Sequence, residues 1–214
     1  MLERTGTMQN KTRLKTIGIT GGIGAGKSQI LDYLEQTYNC KVIKADEIAN
    51  QMKEPGCKEY EEIVTSLGSG ILNENGRIDN QKMAVLLFSD RNLLIKTEGI
   101  LHPAVKNYII EQITTETQKG GLDFLFVEAA LLIEEHYDEI LDELWYIYAD
   151  QNIRRTRLKK SRGYSDEKIT KIMSEQLSDE FFRRTCKVTI DNSGEFDMTC
   201  KQIDQILGDY LCQN

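Results

Sequence analysis

The sequence predicts an α/β fold in which a five-stranded parallel sheet is covered by helices on both faces. Two observations lead to this prediction. Short apolar runs, rich in β-branched and aromatic residues, alternate with segments of helical periodicity. A glycine-rich segment with a lysine separates the first run from the first helix. The predicted strands are residues 16–20, 41–45, 124–128, 144–149 and 187–190.

The glycine-rich segment has the pattern of a phosphate-binding loop, or P-loop. Residues 17–28 read IGITGGIGAGKS and fit G-x-x-x-x-G-K-[ST] at Gly21, Gly26, Lys27 and Ser28. Glycines allow several backbone N–H groups to point at one anion, and the helix that follows adds its positive end. A lysine supplies charge for the β- and γ-phosphates, and the hydroxyl is a hard ligand suited to Mg²⁺. The motif therefore predicts binding of a nucleoside triphosphate.

Composition sets limits on the class of protein. The 214 residues are 40% hydrophobic and 29% charged, which is typical of one soluble domain. A net charge of −7 argues against general nucleic-acid binding, which needs basic faces. No apolar run approaches the roughly 20 residues of a membrane span. Residues 1–15 are polar, lack the apolar core of a signal peptide, and are expected to form a flexible leader.

The five cysteines have no C-x-x-C spacing, so neither a disulfide framework nor a zinc site is indicated. Reduced cysteines favour a cytoplasmic protein. We expect a monomer or a weak homo-oligomer.

Two long helical segments interrupt the strand pattern of a single domain spanning residues 16–214. Residues 54–120 show helical periodicity and no persuasive strand, and they exceed what a plain crossover needs. They are expected to form a helical lobe. Residues 152–186 combine helical propensity with ten basic side chains and contain a Gly-Tyr-Ser break at 163–165. This arrangement is typical of a solvated helix surface, and it is also what a mobile cationic lid over a triphosphate requires.

Acidic side chains follow two of the predicted strands, at the edge of the sheet where ligands bind in such folds. Asp46 comes after the second strand, where a carboxylate could accept a proton from a substrate hydroxyl or simply cap the next helix. Glu128 ends the third strand, where it could hold Mg²⁺ or stay solvated. His102-Pro103 is read as the first turn of a helix, and His102 alone as a structural group.

Taken together, these motifs resemble those of the dephospho-CoA kinase family, P-loop enzymes with a three-layer α/β/α fold. The resemblance extends from Thr16 to about Ile206. Its motifs are the P-loop with its double glycine, Lys44-Ala45-Asp46, Pro55-Gly56, Leu101-His102-Pro103, Ala130-Leu131-Leu132-Ile133-Glu134, Arg157-Leu158 with Gly163, and Ile190-Asp191-Asn192-Ser193-Gly194.

The resemblance implies ATP-dependent phosphorylation of the ribose 3′-hydroxyl of dephospho-CoA, the last step of coenzyme A synthesis, with Mg²⁺. It implies Asp46 as general base and Lys27 as catalytic cation, with Asp46, His102 and Leu131 at the substrate and Ser28 and Glu128 at the metal. The residues expected around ATP are Gly22, Ile23, Gly24, Ala25, Gly26, Lys27, Ser28, Gln29, Arg157, Arg162 and Asn192.

Several positions depart from the family pattern. Ser161 stands in place of a lid arginine, and Arg162 follows one residue later. The other departures are Lys44 for Asp, Ala130 for Pro, Phe182 for Lys and Gln29 for Thr. Two alternatives therefore stay open: a kinase of another small metabolite or of a nucleotide with the same sheet, and a catalytically weak nucleotide-binding protein that senses ATP or CoA.

Overall fold

The computed structural model describes residues 13–212, and it confirms the predicted five-stranded, fully parallel sheet. The strand order is β2-β3-β1-β4-β5. The strands are β1 (Lys15–Thr20), β2 (Cys40–Lys44), β3 (Phe124–Glu128), β4 (Glu143–Tyr148) and β5 (Val188–Asp191). Residues 1–12, most of the predicted leader, lie outside the described residues.

Nine α-helices connect these strands within residues 13–212. They are α1 (Lys27–Thr37), α2 (Ala45–Met52), α3 (Lys58–Leu67), α4 (Asn80–Ser89), α5 (Arg91–Lys119), α6 (Gln151–Arg162), α7 (Asp166–Ser174), α8 (Asp179–Thr185) and α9 (Phe196–Cys212). No helix in this part of the chain is both long enough and apolar enough to cross a membrane.

The apolar residues of the sheet form two core layers, one on each face. In β3, Phe124 and Phe126 pack with α1 and α9, whereas Leu125 and Val127 pack with α2 and α5 on the opposite face. Side chains that alternate in this way, all buried, are what a parallel sheet between two helical layers requires. Each fully buried apolar side chain of this size contributes roughly 1.5–3 kcal/mol, so the sheet is a rigid support for the loops at its edge.

The strand boundaries differ from the predicted ones at several ends. Lys15 already pairs with Phe124, and Leu14 is buried, so the ordered fold begins before the predicted boundary at residue 16. At the other end of β2, Ala45 belongs to α2 and not to the strand. Asp46 consequently lies in the first helical turn. The N-cap of α2 is Lys44, so the alternative in which Asp46 caps the helix is wrong.

The segment 54–120 contains α3, α4 and α5 and a small cluster of its own, formed by Ile63, Ile71 and Met83. The prediction that His102-Pro103 opens a helix is wrong, because Pro103 lies inside the 29-residue α5. Asp90 caps this helix by accepting hydrogen bonds from Asn92 N and Leu93 N. Proline leaves only the carbonyl four residues earlier without its helical partner. That carbonyl belongs to the exposed Gly99, where water can reach it.

Candidate active site

The P-loop joins β1 to α1 in a conformation that only glycine adopts easily. Gly24 and Gly26 have φ angles of 80° and 90°, in the left-handed region. Gly26 is the N-cap of α1, and no side chain caps this helix. The first N–H groups of α1 therefore remain available to an anion, together with the positive end of the helix dipole.

Lys27 reaches from the loop to the acid at the end of β3. Its Nζ donates to the Gly21 carbonyl at 2.9 Å and lies 3.5 Å from Glu128 Oε1. Burial raises the pKa of Glu128 above its ordinary value, the charge of Asp46 adds to this, and Lys27 opposes both. The charged form of a carboxylate in this environment is stabilised by any further cation placed beside it.

One cavity of about 600 Å³ collects most of the residues predicted to bind ATP, metal and substrate. Its lining includes the following residues predicted from the sequence: Gly22, Ile23, Gly24, Ala25, Gly26, Lys27, Ser28, Asp46, Glu128, Leu131, Arg157 and Arg162. Gln29 is exposed on α1 and is absent from the lining. Asn192 and His102 are also absent from it, because hydrogen bonds hold both side chains elsewhere.

Asn192 supports the P-loop from beneath. Its side chain is buried and donates from Nδ2 to the Ala25 carbonyl at 2.7 Å, while Oδ1 accepts from Thr199 at 2.9 Å. Arg157 donates to the carbonyls of Ala25 and Asn192, at 3.3 Å and 2.9 Å. The two residues therefore hold the Ala25 carbonyl of the loop in place.

The end of α6 brings both Ser161 and Arg162 to the cavity wall. The helix ends at Arg162, and Gly163 follows in the left-handed conformation with a φ of 61°. The guanidinium of Arg162 lies 5.9 Å from the ring of Tyr164. In a straight helix, adjacent residues point about 100° apart, but both positions can line one wall where the helix stops.

A smaller cavity of about 190 Å³ adjoins the first and has mainly apolar walls. Asp46, Ala130 and Leu131 line both cavities. His102 lies in the smaller one, where its Nδ1 is 2.7 Å from Glu135 Oε1. The structure therefore places Asp46 at the boundary between a polar, glycine-walled cavity and an apolar one.

Several residues of the larger cavity were not predicted as site residues, and three of them are polar or aromatic side chains of interest. Phe182 and Glu134 are part of its lining, and Gln176 faces it while accepting a hydrogen bond from Ile23 N. Gln176 matches a glutamine of the family pattern, which was the available signal. Phe182 packs its ring parallel to Tyr146, with centroids 4.7 Å apart, so an apolar residue is accommodated where a lysine is usual.

A P-loop at the carboxyl edge of a parallel sheet, with an acid and arginines around a shared cavity, defines a P-loop kinase. The family model for dephospho-CoA kinase matches residues 15–197. The chain belongs to the dephospho-CoA kinase family, which catalyses the final ATP-dependent step of CoA biosynthesis.

The curated relatives support this membership along the whole fold. A dephospho-CoA kinase from Carboxydothermus hydrogenoformans is 33% identical and is matched over 91% of this chain and 93% of its own length. One from Aquifex aeolicus is 35% identical, over 90% and 96%. The solved dephospho-CoA kinase from Campylobacter jejuni has the same fold, with a TM-score of 0.67, 22% identity and coverage of 89% and 96%.

Proposed function

We propose that this protein transfers the γ-phosphoryl group of ATP to the ribose 3′-hydroxyl of dephospho-CoA, with Asp46 as the general base. The observation that carries the proposal is the position of Asp46 in the lining of both cavities. The P-loop cavity is suited to a triphosphate, and the adjoining cavity is suited to a larger, partly apolar acceptor. A carboxylate at their boundary is placed to take the acceptor proton as the phosphoryl group arrives.

The P-loop and its neighbours hold and orient the triphosphate. Lys27 is the cation of the loop itself. Its ammonium can exchange the Gly21 carbonyl for phosphate oxygens. Arg157 and Arg162 add positive charge to the lining of the same cavity, where charge develops during transfer. Closure of α6–α8 would exclude water, which suppresses hydrolysis of ATP without an acceptor.

The residues present fit Mg²⁺ bound together with phosphate. The Ser28 hydroxyl and the Glu128 carboxylate are hard oxygen donors on the same cavity wall. Residues 13–212 contain no group of three His, Cys, Asp or Glu side chains that could hold a metal ion by themselves, without oxygens from a nucleotide. Magnesium sites in kinases have this composition, because the nucleotide provides the remaining ligands. The ion would neutralise charge on the β- and γ-phosphates.

The α2–α5 region is proposed to receive the pantetheine-bearing acceptor. His102 and Leu131 line the smaller cavity together with Leu101 and Val105, which gives it an apolar wall. The hydrogen bond between His102 and Glu135 holds α5 against the loop that carries Leu131. We propose ATP and dephospho-CoA as the ligands of a cytoplasmic enzyme that is a monomer or weak homo-oligomer and binds neither nucleic acid nor membrane.

The test is an acceptor panel. The purified protein is mixed with ATP, Mg²⁺ and one acceptor at a time, including dephospho-CoA, adenosine and shikimate, and ADP is measured. We expect ADP release and a product one phosphate heavier with dephospho-CoA alone. ADP release only with another acceptor would assign a different kinase activity. ATP binding without turnover on any acceptor would identify a sensor.

A further inference from the structure

Arg154, in the first turns of α6, lies directly behind the P-loop. Its side chain is almost completely buried, at 8% exposure. Its Nε donates to the Ile23 carbonyl at 2.9 Å, and one terminal nitrogen donates to Gln176 Oε1 at 2.8 Å. The same Gln176 oxygen accepts from Ile23 N at 3.1 Å. The peptides on both sides of Ile23 are therefore fixed by one arginine and one glutamine.

The double glycine of the loop gives this contact its space. A Cβ added at Gly22 would lie 2.1 Å from a terminal nitrogen of Arg154 and 2.5 Å from the guanidinium carbon. Gly22 does not have the positive φ angle of Gly21 and Gly24, so its backbone conformation does not by itself require glycine. The guanidinium of Arg154 fills the space beside position 22, so a larger residue there would have to displace it.

The surroundings of Arg154 distinguish it from a phosphate ligand. Its guanidinium is absent from the described lining of the 600 Å³ cavity, whereas Gln176 is part of that lining. The closest carboxylate is Asp179, 3.8 Å away, which also accepts a hydrogen bond from the Tyr146 hydroxyl at 2.6 Å. The group is thus a buried, hydrogen-bonded cation that supports the loop.

We propose that Arg154 is a positioning residue for ATP binding, which sets the turn of the P-loop at Ile23 and holds Gln176 at the cavity wall. Through these two contacts it links the α6–α8 segment to the loop, so that the loop amides are ordered before the triphosphate arrives. Ordering donors in advance lowers the cost of binding. The proposal rests on the P-loop cavity being the ATP site, as the proposed function requires.

The first test compares Arg154→Ala and Arg154→Lys with the control Arg155→Ala. Arg155 lies on the same helix, is half-buried, donates to Thr170 and pairs with Asp166, and it is not part of the cavity lining. The dissociation constant of ATP is measured by titration calorimetry without acceptor, and the melting temperature reports folding. We expect both Arg154 variants to bind ATP about 10–100-fold more weakly, because lysine cannot form both hydrogen bonds. The control should bind ATP as the parent protein does.

Steady-state kinetics separate positioning from a general loss of structure. For Arg154→Ala we expect a higher KM for ATP and an unchanged KM for dephospho-CoA. Parent-like ATP affinity in a folded Arg154→Ala protein would overturn the proposal. So would full rescue by lysine, which would show that charge alone matters.

A second test approaches the same contact from the P-loop side. Gly22→Ala should displace the guanidinium and weaken ATP binding, and Gly22→Ala combined with Arg154→Ala should bind no more weakly than the weaker single variant. Fully additive losses would contradict the proposal. Because ATP affinity is measured without acceptor, this result is independent of the assay that identifies dephospho-CoA as substrate.

Discussion

Replacing Asp46 by asparagine tests the general base most directly. The change keeps the size of the side chain and removes its charge and its ability to accept a proton. General-base catalysis typically contributes about 10²–10⁴-fold, so kcat should fall by that factor while ATP affinity stays within about threefold. ATP is expected to contact mainly the P-loop, whereas Asp46 lies at the boundary of the same cavity.

The effect of this change on stability should be small. Asp46 is exposed in the first turn of α2, where an acid interacts favourably with the helix dipole by about 0.3–1 kcal/mol. Its charge also contributes to the raised pKa of Glu128, and this unfavourable interaction disappears in the variant. The two effects have opposite sign, so the melting temperature should change little.

Glu47→Gln provides a matched control for this variant. Glu47 is an exposed acid in the same helical turn, paired with Lys44 at 3.4 Å, and it is outside both cavity linings. The assay is ADP release with dephospho-CoA at saturating ATP, together with ATP binding by calorimetry. A kcat of Asp46→Asn equal to that of Glu47→Gln would refute the reasoning.

Three further changes test the remaining parts of the site. Lys27→Ala should reduce turnover about 10²–10³-fold in a protein that melts normally, and near-normal ADP release would contradict the P-loop role. Glu128→Gln should lower activity yet raise the melting temperature of the ligand-free protein. The pKa of Glu128 is raised by folding, so its charge costs stability above that pKa, and the gain measured at pH 8 should shrink as the pH falls toward the ordinary glutamate value. Arg162→Ala should raise the KM for ATP several-fold, and Ser161→Arg should be tolerated; normal kinetics of Arg162→Ala beside an inactive Arg157→Ala would show that Arg162 does not replace the missing arginine.

Local patterns in the sequence were sufficient to place the polar centre of the site. Glu128 pairs with Lys44 in the register of β2 and β3, so the ends of these strands are adjacent. Residues directly after them therefore meet at one edge of the sheet, as the strand pattern predicts. The P-loop was equally predictable, because its chemistry depends on residues within a single short segment. The strand ends and the P-loop can be predicted because they depend only on the order of the strands along the chain and on their common direction.

Contacts between distant segments were not predictable in the same way. The basic run on α6 gave no means of deciding which arginines face solvent. In the structure Arg155 is half-buried and contacts Thr170 of α7, whereas Arg154 is buried against Ile23, which is 131 residues away in the sequence. The internal position of Pro103 was missed for a related reason. A capping residue thirteen positions earlier and the exposed Gly99 together allow the helix to continue through it.

One departure from the family pattern, Phe182 in place of lysine, is explained by the packing behind the P-loop. Phe182 is buried at 5% exposure and stacks on Tyr146, whose hydroxyl is bound to Asp179. A lysine in the place of Phe182 could not form this parallel ring stacking. Asp179 in turn is the carboxylate closest to Arg154. Phe182 and the buried Arg154 therefore belong to one packed layer, which Tyr146 and Asp179 connect.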